Sequence, residues 1–512
     1  MKRFPPARER HLGERIIKCD SWHKRILWFL LFGAILRFAL LFTVDITPQE
    51  AYYWNFSRHL APGYFDHPSM MPWTIWFFTN IFGSSILGIR LGAWLYGIGA
   101  IFFLWLIARK FWGEKAAFCA VVAVFCVPLF TISGMIFTPD PPLVFFWLGA
   151  IYFLIRAFEE GKWRWWLLAG LFGGFAMLSK YTAVFLFLGA VLVLLLRRDA
   201  RKYILTAKPY VALLTALLAF SPEIIWNAQN SWASFLYQSS RRAGEIGRFR
   251  FDYFGGYIGA QLLAVSPILY FGIWRESVRS IRDYLSGLLS RNCTAKTMPM
   301  EVLVILAFSV PMMLFFTAVA LLYWVKLNWL ITAYFLPASA FVAWSLKKGK
   351  RLHIWGTAVA ALTTAIILFA AVVPAVPISG ELASTIGWKE LTARVENELS
   401  TMPENTFVFG MEYKVPSQLA YRLPGKPETM GPNIVGLPGQ QFSYWAELDT
   451  FAGKNAICVI DPRWGIGTEQ AEPLLHKYFE NIEKTEPLKI FRAGAVVTEF
   501  YVYRCFGYRG LD

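Results

Sequence analysis

The sequence predicts a mostly α-helical, polytopic membrane bundle of about eleven spans, followed by a small extracytoplasmic α/β domain. Three observations predict it. Of the 512 residues, 56% are hydrophobic and 17% aromatic, while only 16% are charged; with a mean hydropathy of +0.44, this is the composition of a chain dissolved in lipid. Apolar runs of spanning length recur along residues 26–373, each near the roughly 20 residues that a bilayer requires. Lys and Arg collect in alternate loops between those runs, as the positive-inside rule demands. The formal net charge of +16 is thereby assigned to loops, and nucleic acid is set aside as a partner.

Taken in order, residues 1–25 form a basic cytoplasmic tail, too long and polar for a signal-peptide n-region. The spans are expected at 26–44, 86–108, 116–136, 143–158, 163–178, 182–196, 211–225, 257–274, 302–322, 330–346 and 354–373. The basic segments "ARKFWGEK", "RRDARKYILTAK", "RESVRSIRDYLSGLLSRNCTAK" and "KKGKR" then fall on one side, the cytoplasm, and the C-terminus falls outside. The transmembrane domain covers 26–373, and its first outer loop, 45–85, carries a reactive helix and an interfacial helix. From residue 374 to 512 the composition changes. "GWKELTARVENELSTMPENTFVFGMEYKVPSQLAYRL" reads as helix, strand, helix; "NAICVIDPR" and "AVVTEFYVYRCF" read as strands. Cys119 and Cys126 read as small hydrophobes; Cys458 and Cys505 are placed where an oxidising compartment would allow pairing.

This topology sends titratable residues from separate stretches to the outer face: Glu50, Arg58, His59, Asp66, His67, Asp140, Lys180, Arg241 and Arg242 among them. Each has a bland reading. Thr47-Pro48-Gln49-Glu50 matches a capping box. Asp140 could cap a span with Pro141 at its first position. Lys180 could snorkel, His59 and His67 could be solvated, and Arg241 and Arg242 could touch headgroups. Trp73 and Trp76 read as interfacial belt. The convergence points to more: basic residues on the outer face run against the positive-inside trend, and an anionic ligand such as a lipid phosphate would explain them.

"PQEAYYW", "YFDHPSM", "TPDPPLVFFW", "LSKYTAV", "SPEIIWNAQNSWASF" and "NWLITAY", in that order, resemble the integral-membrane glycosyltransferases of families 39 and 83. These include the protein O-mannosyltransferases and the aminoarabinose transferase of lipid A. The resemblance implies the GT-C fold, a donor sugar on a polyprenyl phosphate, and a catalytic carboxylate in the first outer loop. Many members begin that motif with Asp-Glu; here Gln49 takes the first place and Glu50 remains. "YFDHP" falls where the aminoarabinose transferases carry Glu-Lys-Pro-Pro, implicated there in metal and phosphate binding, so Asp66 would replace the Glu and His67 the Lys.

Chemistry assigns the roles independently. An acceptor hydroxyl attacking an anomeric carbon needs a base, and a phosphate leaving group needs cations or a metal. The expectation is a transferase at the periplasmic face of a bacterial inner membrane, inverting the anomeric centre. Its acceptor is a lipid such as lipid A or lipopolysaccharide, a glycan or a protein, and membrane lipids surround it. Glu50 is expected as base or its close support, with Asp66 as alternative base or metal ligand. Asp140 would position substrate; Lys180, Arg58, Arg241 and Arg242 would hold phosphate; His67 would donate to phosphate or bind metal. No cofactor is certain; a divalent metal on Asp66 and His67 stays open. Two alternatives are a transporter or flippase for a lipid-linked sugar, which would place charge near mid-span, and a noncatalytic binder of the same lipid. Arg37 and Arg90, within or near spans, are the exceptions to an otherwise uncharged interior.

Overall fold

The computed structural model describes residues 7–241, 248–289 and 298–511, with side chains described for residues 22, 24–239, 248–286 and 298–511. The chain divides into two compact units: residues 1–40, 92–228 and 238–366 form the first, and residues 41–91, 229–237 and 367–512 the second. The outer segment expected at 45–85 thus belongs to the same unit as the C-terminal residues.

The first unit is helical. After α1 (Ala7–Leu40), α2 (Pro48–Arg58) and α3 (Met70–Phe82), the chain runs through α4 (Ile86–Trp112), α5 (Glu114–Cys126), α6 (Pro128–Ser133), α7 (Asp140–Glu160), α8 (Trp163–Ser179), α9 (Val184–Leu196), α10 (Arg198–Arg201) and α11 (Lys208–Gln229). Among the described residues six helices are long and apolar enough to cross a membrane: α4, α7, α11 and those at Met300–Val319, Leu327–Lys347 and Leu352–Val372. The count of eleven continuous spans is therefore not what the backbone shows. The stretch expected at 116–136 is broken between α5 and α6, where Pro128 opens a new helix, because proline lacks the amide needed to continue the ladder. The stretch expected at 257–274 is two helices bent by 106° at Ser266, which takes a left-handed φ of 79°. The helices at 163–179 and 181–196 are shorter than a full span.

Close packing follows from small residues. A Cβ on Gly170 would lie 2.1 Å from the Ala212 carbonyl oxygen, and one on Gly174 2.4 Å from that of Ala216. Two glycines four residues apart thus let α8 and α11 touch backbone to backbone, the small-xxx-small device of membrane helices.

The second unit carries a mixed sheet of β1 (Phe407–Gly410), β2 (Thr429–Met430), β3 (Ala456–Ile460), β4 (Phe479–Lys484), β5 (Leu488–Arg492) and β6 (Ala495–Tyr508). The order is β2-β1-β3-β6-β4, with β5 also on β6. β1 pairs in parallel with β2 and β3; β6 runs antiparallel to β3, β4 and β5. Alternation sorts the side chains. Ala456, Cys458 and Ile460 point to one core with Phe409 and Leu475. Ile457 and Val459 point to the other, with Leu391, Val395 and Leu419. β3 is covered on both faces, which is why "AICVI" is apolar throughout. The helix–strand–helix reading of 387–423 matches the helices Trp388–Ser400 and Lys414–Arg422 on either side of β1, and the two expected strands are β3 and β6. Cys458 and Cys505 are buried free thiols on these neighbouring strands.

Candidate functional site

Each unit places several of the expected residues in buried polar surroundings. In the second unit, Thr47 and Glu50 close the expected capping box at the start of α2: the Glu50 amide donates to Thr47 Oγ1 (3.2 Å), and the Thr47 amide donates to Glu50 Oε2 (3.0 Å). Glu50 is fully buried and does more than cap. Arg90 grips it with both arms, Nε donating to Oε1 (2.7 Å) and Nη2 to Oε2 (2.6 Å). The same guanidinium donates to the carbonyls of Leu41 (2.5 Å), Val44 (2.7 Å) and Asp45 (2.9 Å). Arg90 thus satisfies orphan carbonyls past the end of α1 while neutralising a buried carboxylate. Both Glu50 oxygens are engaged.

Asp66 is nearly buried, 8% exposed. Tyr52 Oη donates to its Oδ1 (3.3 Å) and accepts from the Gln441 amide (3.2 Å). Burial first, and the Asp66 charge second, push the Tyr52 phenol well above its usual range, so it stays a neutral donor. Tyr413 is raised in the same way, by burial and then by Glu412 and Asp66, and it accepts from Gln49 Nε2 (2.9 Å). Gln49, standing where the related motif carries Asp, is thereby tied to the start of the helix Lys414–Arg422.

Arg58, expected as a phosphate ligand, has protein partners here. Its Nη2 donates to Glu428 Oε1 (2.5 Å) and to the Lys426 carbonyl (3.0 Å), and Nη1 to Asn55 Oδ1 (3.2 Å). His59 stacks on Trp445 with ring centroids 4.6 Å apart and approaches Glu428 (3.3 Å). Burial would raise the Glu428 carboxyl, but His59 and Arg58 outweigh it and hold it low. His67 is half-buried with its ring edge-on to Tyr53, centroids 5.6 Å apart. Among the described residues no three His, Cys, Asp or Glu side chains gather into one cluster.

In the first unit, Asp140 begins α7 beside Pro141 and Pro142, but its side chain does not cap the helix. It is 1% exposed and faces Lys180, whose Nζ donates to Oδ1 (2.7 Å), and Asn328, whose Nδ2 donates to Oδ2. Lys180, at the end of α8, does not snorkel; it is itself nearly buried. An ammonium keeps three donors, and Asp140 takes one of them, so the pair presents a pre-held cation without a bare buried charge. Nearby in sequence, Tyr181 Oη donates to the fully buried Glu223 (2.6 Å), as does Asn227 Nδ2 (3.1 Å). Arg242 lies outside the described residues, as does the Arg241 side chain.

Sequence reading missed Asn328, Tyr52, Tyr413 and Glu428, and named Arg90 only as an exception. The signal for Asn328 was available: an amide opening the apolar run "NWLITAY" has no reason to be there except a partner. The partners of Tyr413 and Glu428, Gln49 and Arg58, lie 364 and 370 residues away along the chain and leave no local trace.

Comparison with known proteins agrees with this fold. Residues 66–226 match the family described as dolichyl-phosphate-mannose-protein mannosyltransferase. Lipid A galacturonosyltransferase RgtD of Rhizobium johnstonii is 28% identical over 327 residues, 62% of this chain and 65% of that protein. YkcB of Bacillus subtilis is 26% identical over 178 residues, 34% of this chain and 25% of that one. The chain thus spans less than two thirds of the curated relatives it matches. ArnT from Cupriavidus metallidurans superposes over 94% of this chain and 98% of its own, with TM-score 0.63 and 14% identity in the apo state. Its structure bound to undecaprenyl phosphate gives TM-score 0.62 at 13% identity over the same shares. The GT-C fold expected from the ordered motifs is the fold of ArnT, and this multi-pass membrane protein shares it.

Proposed function

We propose that this chain is a membrane glycosyltransferase. It moves a sugar from a polyprenyl-phosphate donor to an acceptor hydroxyl or phosphate of the cell envelope. The observation that carries the reading is the match over nearly the whole chain to ArnT, one of whose structures holds undecaprenyl phosphate. The name of RgtD makes lipid A the first acceptor to try. The positive-inside pattern favours an N-terminus in the cytoplasm and the residues after 373 on the other side, which in a bacterial inner membrane is the periplasm.

Each unit offers a candidate residue for the chemistry, argued from that unit alone. Lys180, oriented by Asp140 and Asn328, holds the donor phosphate and stabilises the charge that grows on it as the glycosidic C–O bond breaks. Asp66, oriented by Tyr52, takes the proton of the acceptor hydroxyl. Direct attack inverts the anomeric centre. Glu50 supports the loop that carries this carboxylate and does not react. The test is sugar transfer followed by mass spectrometry, with purified protein, a panel of polyprenyl-phosphate sugars and lipid A as acceptor. Native transfer lost in Asp66→Asn at unchanged thermal stability supports the reading. Transfer surviving that change removes Asp66 as base, and tight donor binding without transfer by the native protein returns the flippase or noncatalytic reading.

A further inference from the structure

A second cavity of the first unit lies away from Asp140 and Lys180. It sits where the helix Ile331–Lys347 ends, at the opposite end of that stretch from Asn328, and it has a volume of about 1140 Å³. Lys115, Arg198, Arg275, Arg279, Arg282, Lys347 and Lys348 line it, against Glu276, Asp283 and Glu301. The carboxylates of Glu276 and Asp283 are already taken by Arg275, Arg279 and Arg282. Lys115, Arg198, Lys347 and Lys348 have no ion-pair partner among the described residues. They come from three points of the chain: the start of α5, α10, and the last residue of the helix Ile331–Lys347 with the one after it.

A positive-inside loop pattern explains cations on this side of the bundle but not their convergence on one concavity. Cations spread over a flat face are screened by water and salt; unpaired cations lining one cavity repel one another and focus a positive potential into it. The remaining wall is apolar, formed by Phe111, Trp112, Leu196, Ile305, Trp344 and Leu346. The Arg275 guanidinium lies flat on Trp344, 3.5 Å from the ring centroid, a stacked arginine of the kind that presents its edge to phosphate.

From this arrangement we infer that the cavity is a binding site for a phosphate-bearing lipid: the four uncompensated cations take the phosphate, and the apolar wall takes the start of the acyl chains. Free phosphate would use only half of that lining. The site is separate from the transfer chemistry and does not depend on it.

The test reconstitutes the full-length protein in nanodiscs of phosphatidylcholine doped with phosphatidylglycerol and counts co-purifying lipid by native mass spectrometry. The native protein should retain phosphatidylglycerol over phosphatidylcholine. Arg198→Gln with Lys347→Gln should lose that preference by roughly tenfold or more. Lys202→Gln, which removes an exposed cation of the same loop outside the cavity, should keep it. The charge-preserving Arg198→Lys with Lys347→Arg should also keep it, which separates binding from misfolding. Equal loss in Lys202→Gln would overturn the site in favour of diffuse surface charge. Saturable binding of inorganic phosphate without lipid preference would overturn the lipid assignment, and no preference in the native protein would overturn both.

Discussion

Removing Glu50 and Arg90 singly and together tests whether the first outer loop is held by a buried ion pair. Each side chain is almost wholly sequestered, 0% and 2% exposed, so a single deletion strands a charge. Glu50→Ala leaves the Arg90 cation without its counter-ion, a cost of about 3–5 kcal/mol, and removes the Glu50 half of the capping box, leaving the Thr47 amide without its acceptor, about 1 kcal/mol more. Arg90→Ala strands the carboxylate at a similar cost and also orphans the three carbonyls at Leu41, Val44 and Asp45, at about 1 kcal/mol each. The double variant removes both charges, so the stranding penalty vanishes and only cap, carbonyls and packing are lost. The cycle should therefore show a favourable coupling of about 3 kcal/mol, read by equilibrium unfolding in mixed micelles. Additivity within about 0.5 kcal/mol would refute the pair as the anchor of the loop. The same variants speak to mechanism: sugar transfer should track the folded fraction, and a fully folded but inactive Glu50→Gln would return Glu50 to the role of base.

Asp66→Asn should lower the turnover of transfer by about 10²–10⁴-fold without shifting unfolding, whereas Arg58→Gln should weaken stability more than turnover, since its partners are Glu428 and backbone carbonyls. Lys180→Met should destabilise by about 3–5 kcal/mol by leaving Asp140 buried and unpaired, Lys180→Met with Asp140→Asn should recover most of that yet bind polyprenyl phosphate poorly, and tight binding by the double variant would remove Lys180 from the phosphate site. Glu412 supplies a pH signature. Burial, with Asp461 adding to it and Lys414 opposing, pushes its carboxyl up to about 7 from 4.5. The folded state then holds the extra proton between those values, so stability should fall as pH rises from about 4.5 to 7, by no more than about 3 kcal/mol. Glu412→Gln should flatten that slope, and an unchanged pH profile would show that the slope has another origin.

What was legible in the sequence was what is local. The capping box needs only Thr47 and Glu50, three residues apart, and it is present as read. β3 and β6 announce themselves by apolar and alternating runs. What depends on distant partners was not legible. Asp140 read as a helix cap because Pro141 follows it, and only the fold brings Lys180 and Asn328 to its oxygens. Arg58 read as a phosphate ligand because it sits beside a membrane, but Glu428, 370 residues on, claims it. Two expected spans differ in detail for a related reason: hydropathy registers the runs at 116–136 and 257–274, while Pro128 and the left-handed Ser266 interrupt the helix within them.

The position of β6 in the sheet has a consequence for biosynthesis. It is the last strand in the chain, yet it lies between β3 and β4 and also carries β5. While Ala495–Tyr508 is still in the ribosomal tunnel, β1, β2 and β3 can pair only with one another, and β4 has no neighbour. An unpaired β3 edge of buried apolar residues is the surface that draws foreign strands. The sheet can close only after nearly all of the chain described here has been made and inserted. Ribosome stalling or a nonsense codon within the last strand should therefore yield a protein whose helices sit in the membrane while its incomplete sheet invites chaperones and proteases.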